Sequence, residues 1–223
     1  MNKIKLLLRK GKEGLNRKDF FRCLRRLLYH HRISYIYENS LDGPIFPCPI
    51  FMCRVSNAQL KIISSVGDFD KLLKKSFDFT LFPPDLCQYR RYRKRLNRGS
   101  KLFSLLVNGE VAHVTWLGLD KATSYGFYPF SPKKDKDLVG YIGETMTAPK
   151  YRRRGINLYV HSEIFRYLRE RKIPRALLSI CKENVPARNS QVKLRSHIVE
   201  EKHELRIFLL FGFQWTQTYR ENS

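Results

Sequence analysis

The segment from residue 140 to 157, GYIGETMTAPKYRRRGIN, constrains the fold more than any other part of the sequence. Its first half is rich in residues that favour an extended strand, and Pro149 cannot donate to a sheet ladder, so we expect the strand to end near Ala148. A basic loop follows, and Gly155 stands directly before an amphipathic stretch. The free amides and the dipole at the start of a helix favour a bound phosphate. The segment therefore predicts a strand, a phosphate-binding turn and a helix, in that order.

The residues after this turn predict a helix over 156–171 and a short strand over 176–181. Apolar residues recur on one stripe of the helix, and charged residues lie off it. The stripe consists of Ile156, Val160, Ile164, Phe165 and Leu168. Two strands joined by one helix form a parallel pair, because parallel strands need a crossover connection. We expect the strand ending at Thr147 and the strand ending near Cys181 to be parallel neighbours.

Two motifs in this region resemble those of the GNAT superfamily, acyltransferases that use acetyl-CoA or a related acyl-CoA. Arg152-x-x-Gly155-x-Asn157 is similar to the pyrophosphate loop R/Q-x-x-G-x-G/A, although the family expects glycine or alanine where this chain has Asn157. The segment ENVPARNSQVKL is similar to N-x-x-S/A-x-x-x-Y-x-K-x-G-F at Asn184, Ala187 and Lys193. The motifs come in the family's order and are separated by a helix and a strand.

The resemblance covers roughly residues 51–213 and implies a GNAT-like α/β fold. That fold has a mixed, mostly antiparallel sheet with a central parallel strand pair, flanked by helices. In the family the two parallel strands splay apart, and the pantetheine arm of the cofactor pairs with exposed strand backbone. The residues that the resemblance assigns to the cofactor are Thr145, Met146, Thr147, Arg152, Arg153, Arg154, Gly155, Ile156, Asn157 and Asn184.

The implied reaction is direct transfer of an acyl group from the thioester to an amine, which must lose a proton to a base. Glu144 is the sole acidic residue on the central strand and is the first candidate base, with His113 as the second. Either residue could instead be structural. In many GNAT enzymes a tyrosine protonates the leaving thiolate, but Gln191 occupies that position here, and Arg195 and Ser196 replace the Gly-Phe pair.

The charge balance favours anionic ligands. Lys and Arg number 43 against 20 Asp and Glu, which gives a net charge of +23. Such a surface suits CoA phosphates, nucleic acid, acidic glycans or anionic lipid. The five cysteines include no C-x-x-C pair, so we predict neither a metal site nor a disulfide framework. No apolar run approaches the ~20 residues of a membrane span, and we expect a cytoplasmic protein, with peripheral contact to a membrane as an alternative.

We divide the chain into a basic N-terminal extension, residues 1–49, and an acyltransferase domain, residues 50–223. The extension combines an amphipathic helix from about residue 16 with a strand over 32–39, and a Pro- and Gly-rich stretch ends it. The polar side of that helix carries five arginines and lysines between residues 17 and 26. It could lie on anionic lipid or nucleic acid, or the helix could pack on the domain through its apolar face.

The rest of the domain alternates helices and strands. We predict helices over 68–79 and from Pro84 to about residue 97, and a hairpin over 102–119 that turns at Asn108-Gly109. A second hairpin is expected from the apolar runs 198–201 and 205–215, separated by the charged residues 202–204. The helix after Pro84 contains QYRRYRKRLNR. This run could grip single-stranded nucleic acid, or it could be a solvated basic face with a buried aromatic edge.

The acceptor is the least constrained part of the prediction. The hairpin with its His-Thr-Trp strand, the loop over 122–137 and the sequence TAPKYRRRGI together resemble acetyltransferases of surface polysaccharide assembly. That narrower resemblance implies an amino sugar as the amine acceptor, linked to a nucleotide or a lipid and therefore anionic. A different class remains open, a basic GNAT-fold protein with degenerate catalysis that binds RNA or an anionic membrane. The sequence does not predict an oligomeric state.

Overall fold

The computed structural model describes residues 29–42, 55–75, 86–119, 138–207 and 218–219. The strands are β1 (Tyr29–Ser40), β2 (Ala58–Ile63), β3 (Lys101–Val107), β4 (Glu110–Gly118), β5 (Val139–Thr147), β6 (Arg175–Cys181), β7 (His197–Ile207) and β8 (Thr218–Tyr219). The helices are α1 (Val66–Lys75), α2 (Leu86–Asn97), α3 (Ile156–Glu170) and α4 (Val185–Lys193), and a single 3-10 turn covers Pro149–Tyr151.

The chain divides into two compact units. One unit consists of residues 1–34 and 200–223, and the other of residues 35–199. In the first unit β7 pairs antiparallel with β8 through Glu201 and Lys202. The boundary that the sequence predicts after residue 49 falls among residues outside the described part of the chain, and it stays a prediction.

The larger unit is built on a mixed sheet with the strand order β2-β3-β4-β5-β6-β1. The pairs from β2 to β5 are antiparallel, whereas β5 and β6 are parallel. The turn between β3 and β4 has φ of 51° at Asn108 and 82° at Gly109, the two left-handed residues that a tight hairpin turn requires. The sheet confirms the predicted fold class, its hairpin and its central parallel pair.

Helix α3 makes the crossover between the parallel strands and covers one face of the sheet. Its predicted apolar stripe is buried, from Ile156 to Leu168. Gly140 on β5 allows the close approach, because a Cβ at this position would lie 2.5 Å from Cδ1 of Leu168. This contact packs α3 closely against β5. The first turn of α3 begins shortly after the end of that strand.

Helices α1 and α2 cover the opposite face around the fully buried Trp116. The ring of Tyr92 lies 5.3 Å from that of Trp116, and the ring of Phe69 lies 6.5 Å from it. Tyr89 donates its hydroxyl proton to Asp70 at 2.8 Å and stacks on Phe69. The aromatic edge that the sequence predicts for α2 is thus packed into the protein.

One sequence prediction about the fold is wrong. Residues 202–204 do not form a turn, because β7 runs without interruption from His197 to Ile207. Two acidic residues, Glu200 and Glu201, are followed by Lys202 and His203, so that Lys202 pairs with Glu200 at 3.6 Å and Nε2 of His203 lies 3.2 Å from Glu201. Residues two apart share a face of a strand, and these pairs let a charged run stay extended.

Two other predictions, the amphipathic helix from about residue 16 and the loop over 122–137, lie outside the described residues. Of the helices that are described, none combines the length and the apolar character that crossing a membrane requires.

Candidate active site

The parallel strands β5 and β6 are hydrogen-bonded to each other over only the first half of their length. Pairing between β5 and β6 runs from Val139 opposite Arg175 to Ile142 opposite Leu178. Both strands continue, β5 to Thr147 and β6 to Cys181, but they share no further ladder positions. The edge of β5 that faces β6 is therefore open over its last five residues, where an extended ligand could pair with the strand.

A β-bulge on β5 lies at the start of this open edge. Thr115 of β4 faces Thr145, and Leu117 faces Ile142, so two steps on β4 match three steps on β5. A bulge leaves one residue outside the ladder and redirects the neighbouring side chains. Gly143 and Glu144 occupy the bulge, and Glu144 consequently points to the face that carries α2.

The predicted phosphate-binding turn lies at the far end of the same strand. Arg153 has φ of 62° and Gly155 has φ of 75°, a left-handed conformation that glycine adopts without a steric penalty. The first backbone hydrogen bond of α3 runs from the N–H of Tyr159 to the carbonyl of Gly155 at 3.1 Å. The amides of residues 156–158 have no backbone acceptor in the described part of the chain, as expected for a helix start.

The side chains of this turn are exposed and basic. Arg152, Arg153 and Arg154 are all exposed, and Nε of Arg152 donates to the carbonyl of Thr147 at 3.1 Å. That bond ties the turn to the end of β5. The turn thus combines three guanidinium groups with free helix amides, an arrangement that suits a pyrophosphate.

Glu110 at the start of β4 binds two residues that come just before the basic turn. Its carboxylate accepts hydrogen bonds from Lys150 and from the hydroxyl of Tyr151, the latter at 3.1 Å. The hydrogen bond to Glu110 raises the pKa of Lys150, and burial raises the pKa of Tyr151. Sequence reasoning did not single out Glu110, which lies 40 residues before Lys150.

Two other residues assigned to the cofactor have local roles. Asn184 caps α4, because its Oδ1 accepts the N–H of Ala187 at 3.3 Å. Asn157, at the position where the family expects glycine or alanine, turns its side-chain oxygen inward, and this atom is buried without a partner among the described residues. Met146 and Thr147 are half-buried, and Thr145 is exposed.

Glu144 forms ion pairs with two arginines of α2. Its Oε1 accepts a hydrogen bond from Nη2 of Arg91 at 2.9 Å, and its Oε2 accepts one from Nη1 of Arg95 at 2.5 Å. The Arg95 side chain is fully buried, whereas Glu144 is 33% exposed. Burial lowers the pKa of Arg95, and the negative charge of Glu144 opposes that change.

His113, the second candidate base, is completely enclosed. Its Nδ1 lies 2.7 Å from the hydroxyl of Thr147, and its Nε2 lies 2.8 Å from the hydroxyl of Thr115. Burial, together with the nearby charge of His161, lowers the pKa of His113 to about 3. The imidazole is therefore neutral at pH 7, and both of its nitrogens are engaged.

A buried polar network, which sequence reasoning missed, joins α3 to α4. Nε2 of Gln191, the residue at the tyrosine position, lies 3.4 Å from Nδ1 of His161. The side-chain oxygen Oε1 of Gln191 accepts a hydrogen bond from the hydroxyl of Ser196 at 2.9 Å, and that hydroxyl lies 2.7 Å from Oδ1 of Asn39. Burial lowers the pKa of His161 to about 4. Gln191 is 1% exposed, so it belongs to the packing between the two helices.

The structure brings most of the assigned residues into one line along β5. Glu144 lies in the bulge, residues 145–147 form the open edge, and residues 152–157 form the turn beyond it. Arg91 and Arg95 were the largest omission. Their spacing of four residues on α2 places both on one side of a helix, and this was the available signal.

The architecture corresponds to a recognised fold. A mixed sheet with a splayed parallel pair and a crossover helix that begins at a basic, glycine-containing turn is the GNAT-like α/β fold. Solved structures with this fold are similar to the chain at low sequence identity, and the similarity extends to the fold alone. No family model matches the sequence, and no curated protein matches it either.

Two of these solved structures can be named. A fungal GCN5-related glucosamine N-acetyltransferase region in a multi-domain GH3 β-N-acetylglucosaminidase has a TM-score of 0.57 at 13% identity, over 83% of this chain and 22% of that one. A conserved protein of unknown function from Staphylococcus epidermidis has a TM-score of 0.54 at 10% identity, over 85% of this chain and 66% of that one. This chain thus spans less than two thirds of either protein.

Proposed function

We propose that this protein is an acyl-CoA-dependent N-acetyltransferase that transfers an acetyl group to the amine of a small acceptor. One observation carries the proposal: the opening between β5 and β6 begins at Ile142 and Leu178 and leads along β5 to the Gly155 turn. An unpaired strand edge that leads to a phosphate-binding turn offers the backbone pairing and the phosphate contacts that an extended acyl-CoA requires.

In this proposal the turn holds the pyrophosphate of the cofactor. The amides of residues 156–158 and the side chains of Arg152 to Arg154 would bind it, and the pantetheine arm would lie along Thr145, Met146 and Thr147. The side-chain oxygen of Asn157 is buried, so in this proposal that atom is directed away from the cofactor despite the departure from the family motif. The acetyl group would then lie near the bulge at Gly143 and Glu144.

The reaction needs one base and one site for negative charge. The acceptor arrives as an ammonium ion, loses one proton to the base and attacks the thioester carbonyl carbon, which forms the new C–N bond. The C–S bond then breaks, and a second proton from the same nitrogen goes to the CoA thiolate. Glu144 is the proposed proton acceptor, because it is half-exposed at the bulge, and Thr145 lies beside it. Backbone amides released from the ladder by the bulge would stabilise the oxyanion.

An amino sugar is the acceptor that we favour. The fungal region with the same fold is described as a glucosamine N-acetyltransferase, and the basic surface suits an acceptor that carries phosphate. We propose an amino sugar of the kind used in surface polysaccharide assembly, with the phosphates of its carrier facing the basic residues of α2.

Replacing Gly155 tests the cofactor site. A branched side chain at φ of 75° strains the turn and crowds the pyrophosphate, so Gly155→Val should weaken acetyl-CoA binding by at least about 30-fold in titration calorimetry. Gly155→Asn is the matched control for strain, because asparagine tolerates the left-handed region. If Gly155→Asn folds normally but binds acetyl-CoA weakly, the loss of affinity comes from steric crowding of the pyrophosphate and not from backbone strain. Unchanged affinity in a folded Gly155→Val protein would overturn the assignment.

A binding protein for RNA or an anionic membrane is the second candidate. Arg90, Arg93 and Lys94 are exposed on α2 and could contact phosphates. The tyrosines of the same helix favour it less, since Tyr92 is buried and Tyr89 is engaged by Asp70, which leaves little for base stacking. Binding that falls steeply with salt, in a protein that does not consume acetyl-CoA, would support this candidate.

A further inference from the structure

The two arginines that pair with Glu144 differ in their freedom to move. The guanidinium carbon of Arg95 lies 5.3 Å from the Trp116 ring and 5.7 Å from the Tyr92 ring, and its side chain is fully buried. Arg91 is 40% exposed and lies at the surface end of the same pair. The carboxylate is therefore held on one oxygen by a fixed cation and on the other by an accessible one.

Arg91 uses only part of its hydrogen-bonding capacity. Its Nη2 donates to Glu144 at 2.9 Å, while its Nε is buried and has no hydrogen-bond partner among the described residues. A guanidinium group offers five donors in a planar fork that matches phosphate or carboxylate. Arg91 could thus accept an anionic ligand with a rotation of its own side chain, without any movement of Arg95.

We propose that the acceptor is a zwitterionic amine, with a phosphate or carboxylate within a few bonds of its nitrogen, and that it binds by inserting between Arg91 and Glu144. The anionic group of the acceptor pairs with Arg91. Its ammonium group pairs with the oxygen of Glu144 from which Arg91 has moved away. This inference rests on the proposed acetyltransferase function and names the substrate class of that site.

The exchange keeps every charge compensated. Before binding, Glu144 faces two guanidinium groups; afterwards it faces Arg95 and the ammonium group, while Arg91 faces the anion. An ammonium ion without a nearby anion would have to displace Arg91 into solvent and would give Arg91 no new partner. The arrangement consequently discriminates against amines without a nearby anion, and it frees the candidate base only when an acceptor of the right kind is present.

The test compares three acceptors that share one amino-sugar skeleton: glucosamine, glucosamine 1-phosphate and glucosaminate. The phosphate and the carboxylate separate the two possible anions, and glucosamine lacks both. Binding is measured by calorimetry in the presence of CoA, and kcat/KM is measured with acetyl-CoA. We expect the wild type to favour at least one of the two acceptors with an anionic group over glucosamine by about 10- to 100-fold, the usual contribution of a charge-assisted pair.

The variant Arg91→Gln should reduce that preference to about threefold or less and leave the affinity for acetyl-CoA unchanged. Arg90→Gln is the matched control, because it removes the same charge from an exposed position one residue away, and it should keep the preference. Arg91→Lys should give an intermediate value, since lysine keeps the charge and loses the planar fork.

Three results would overturn the inference: no binding of either acceptor that carries an anionic group, equal binding of acceptors with and without that group, or an equal loss in Arg91→Gln and Arg90→Gln. The binding arm decides between them without any turnover. Absence of acetyl transfer to all three acceptors, combined with binding that depends on Arg91, would instead count against the proposed function and leave the anion site standing.

Discussion

The buried guanidinium group of Arg95 determines how a substitution of Glu144 affects the stability of the protein. Arg95 is fully enclosed and lies against Tyr92 and Trp116, and the carboxylate of Glu144 is 2.5 Å from it. Removing one partner of a buried ion pair lowers the free energy of unfolding by more than the intact pair contributes to it. The reason is that the remaining charge stays buried without a partner to offset its desolvation cost. The same carboxylate is the candidate base, so stability and catalysis have to be separated by experiment.

The variant Glu144→Gln keeps the shape of the side chain and removes its charge. We expect a loss of about 1–3 kcal/mol in the free energy of unfolding, which is below the ~3–5 kcal/mol of a fully buried pair, because Glu144 is 33% exposed. Affinity for acetyl-CoA should stay nearly constant. If Glu144 is also the base, turnover falls by ~10²–10⁴-fold and the acidic limb of the pH–rate profile disappears.

Two measurements distinguish these outcomes, chemical denaturation and the pH dependence of kcat/KM. A less stable variant with an unchanged pH profile would assign Glu144 to structure alone. Full stability in the variant would contradict the importance of its pair with Arg95. In the first case His113→Asn is the next variant, although His113 is engaged by two threonines.

The two buried histidines predict a loss of stability in mild acid. In the folded protein the pKa of His113 is lowered to about 3 and that of His161 to about 4, mainly by burial, whereas the ordinary value is 6.5. Between pH 6.5 and 4 the unfolded chain therefore binds more protons than the folded one. The stabilisation is complete above the unfolded pKa and is lost as the pH falls, with a slope approaching about 1.4 kcal/mol per pH unit for each histidine.

Denaturant unfolding at pH 7, 6 and 5 measures this slope. The variant His161→Gln should show a slope that is shallower by the share of one histidine, even if its stability at pH 7 is lower. A free energy of unfolding that does not change between pH 7 and 5, or a variant slope equal to that of the wild type, would contradict the assignment of neutral buried histidines.

At the scale of elements, the sequence predicted what local pattern controls. The apolar stripe of α3, the Asn108-Gly109 turn and the proline after β5 each act through neighbouring residues, and all three are observed. The turn predicted at residues 202–204 is wrong, because a run of charged residues does not by itself end a strand. In the order Glu-Glu-Lys-His each acidic residue lies two positions before a basic one, and the resulting pairs, each on one face of β7, are compatible with an extended chain.

The packing of α4 against α3 gives a prediction about Gln191. This side chain is almost fully buried, beside His161 and hydrogen-bonded to Ser196. The variant Gln191→Ala should lose about 1–3 kcal/mol of stability, because buried polar partners are left unsatisfied, and retain most of its maximal rate with the best acceptor. A hundredfold loss in turnover with intact affinity for acetyl-CoA would place Gln191 in the catalytic site.

The candidate site was predictable along β5 and much less so across the sheet. The residues from Glu144 to Asn157 follow one another in sequence, so a motif could find them. The partners of the site come from far along the chain, since Arg91 is 53 residues from Glu144 and Gln191 is 30 residues from His161. Such pairs depend on which helix covers which face, and a local pattern carries no information about that.

At the scale of the whole molecule, the net charge of +23 complicates any test of a phosphate-bearing cofactor. A strongly basic protein is destabilised by its own repulsion, and most polyanions relieve it. Stabilisation by acetyl-CoA is therefore informative only when it exceeds that of a small anion of similar charge. The proposed site makes such an excess necessary, because it contacts the pantetheine arm as well as the phosphates.

We predict that acetyl-CoA at about 100 times its Kd raises the free energy of unfolding by about 2.7 kcal/mol. For a chain of this size the increase corresponds to roughly 5–11 °C in the melting temperature, measured at fixed ionic strength. Inorganic pyrophosphate at the same concentration should give a much smaller shift, since it meets only the turn. In Gly155→Val the shift with acetyl-CoA should fall to about the wild-type level of pyrophosphate, and the shift with pyrophosphate should fall as well, because both ligands use the turn. Equal shifts with both ligands in the wild type would mean that the basic surface binds anions without a cofactor slot, which is the behaviour expected of the binding-protein alternative.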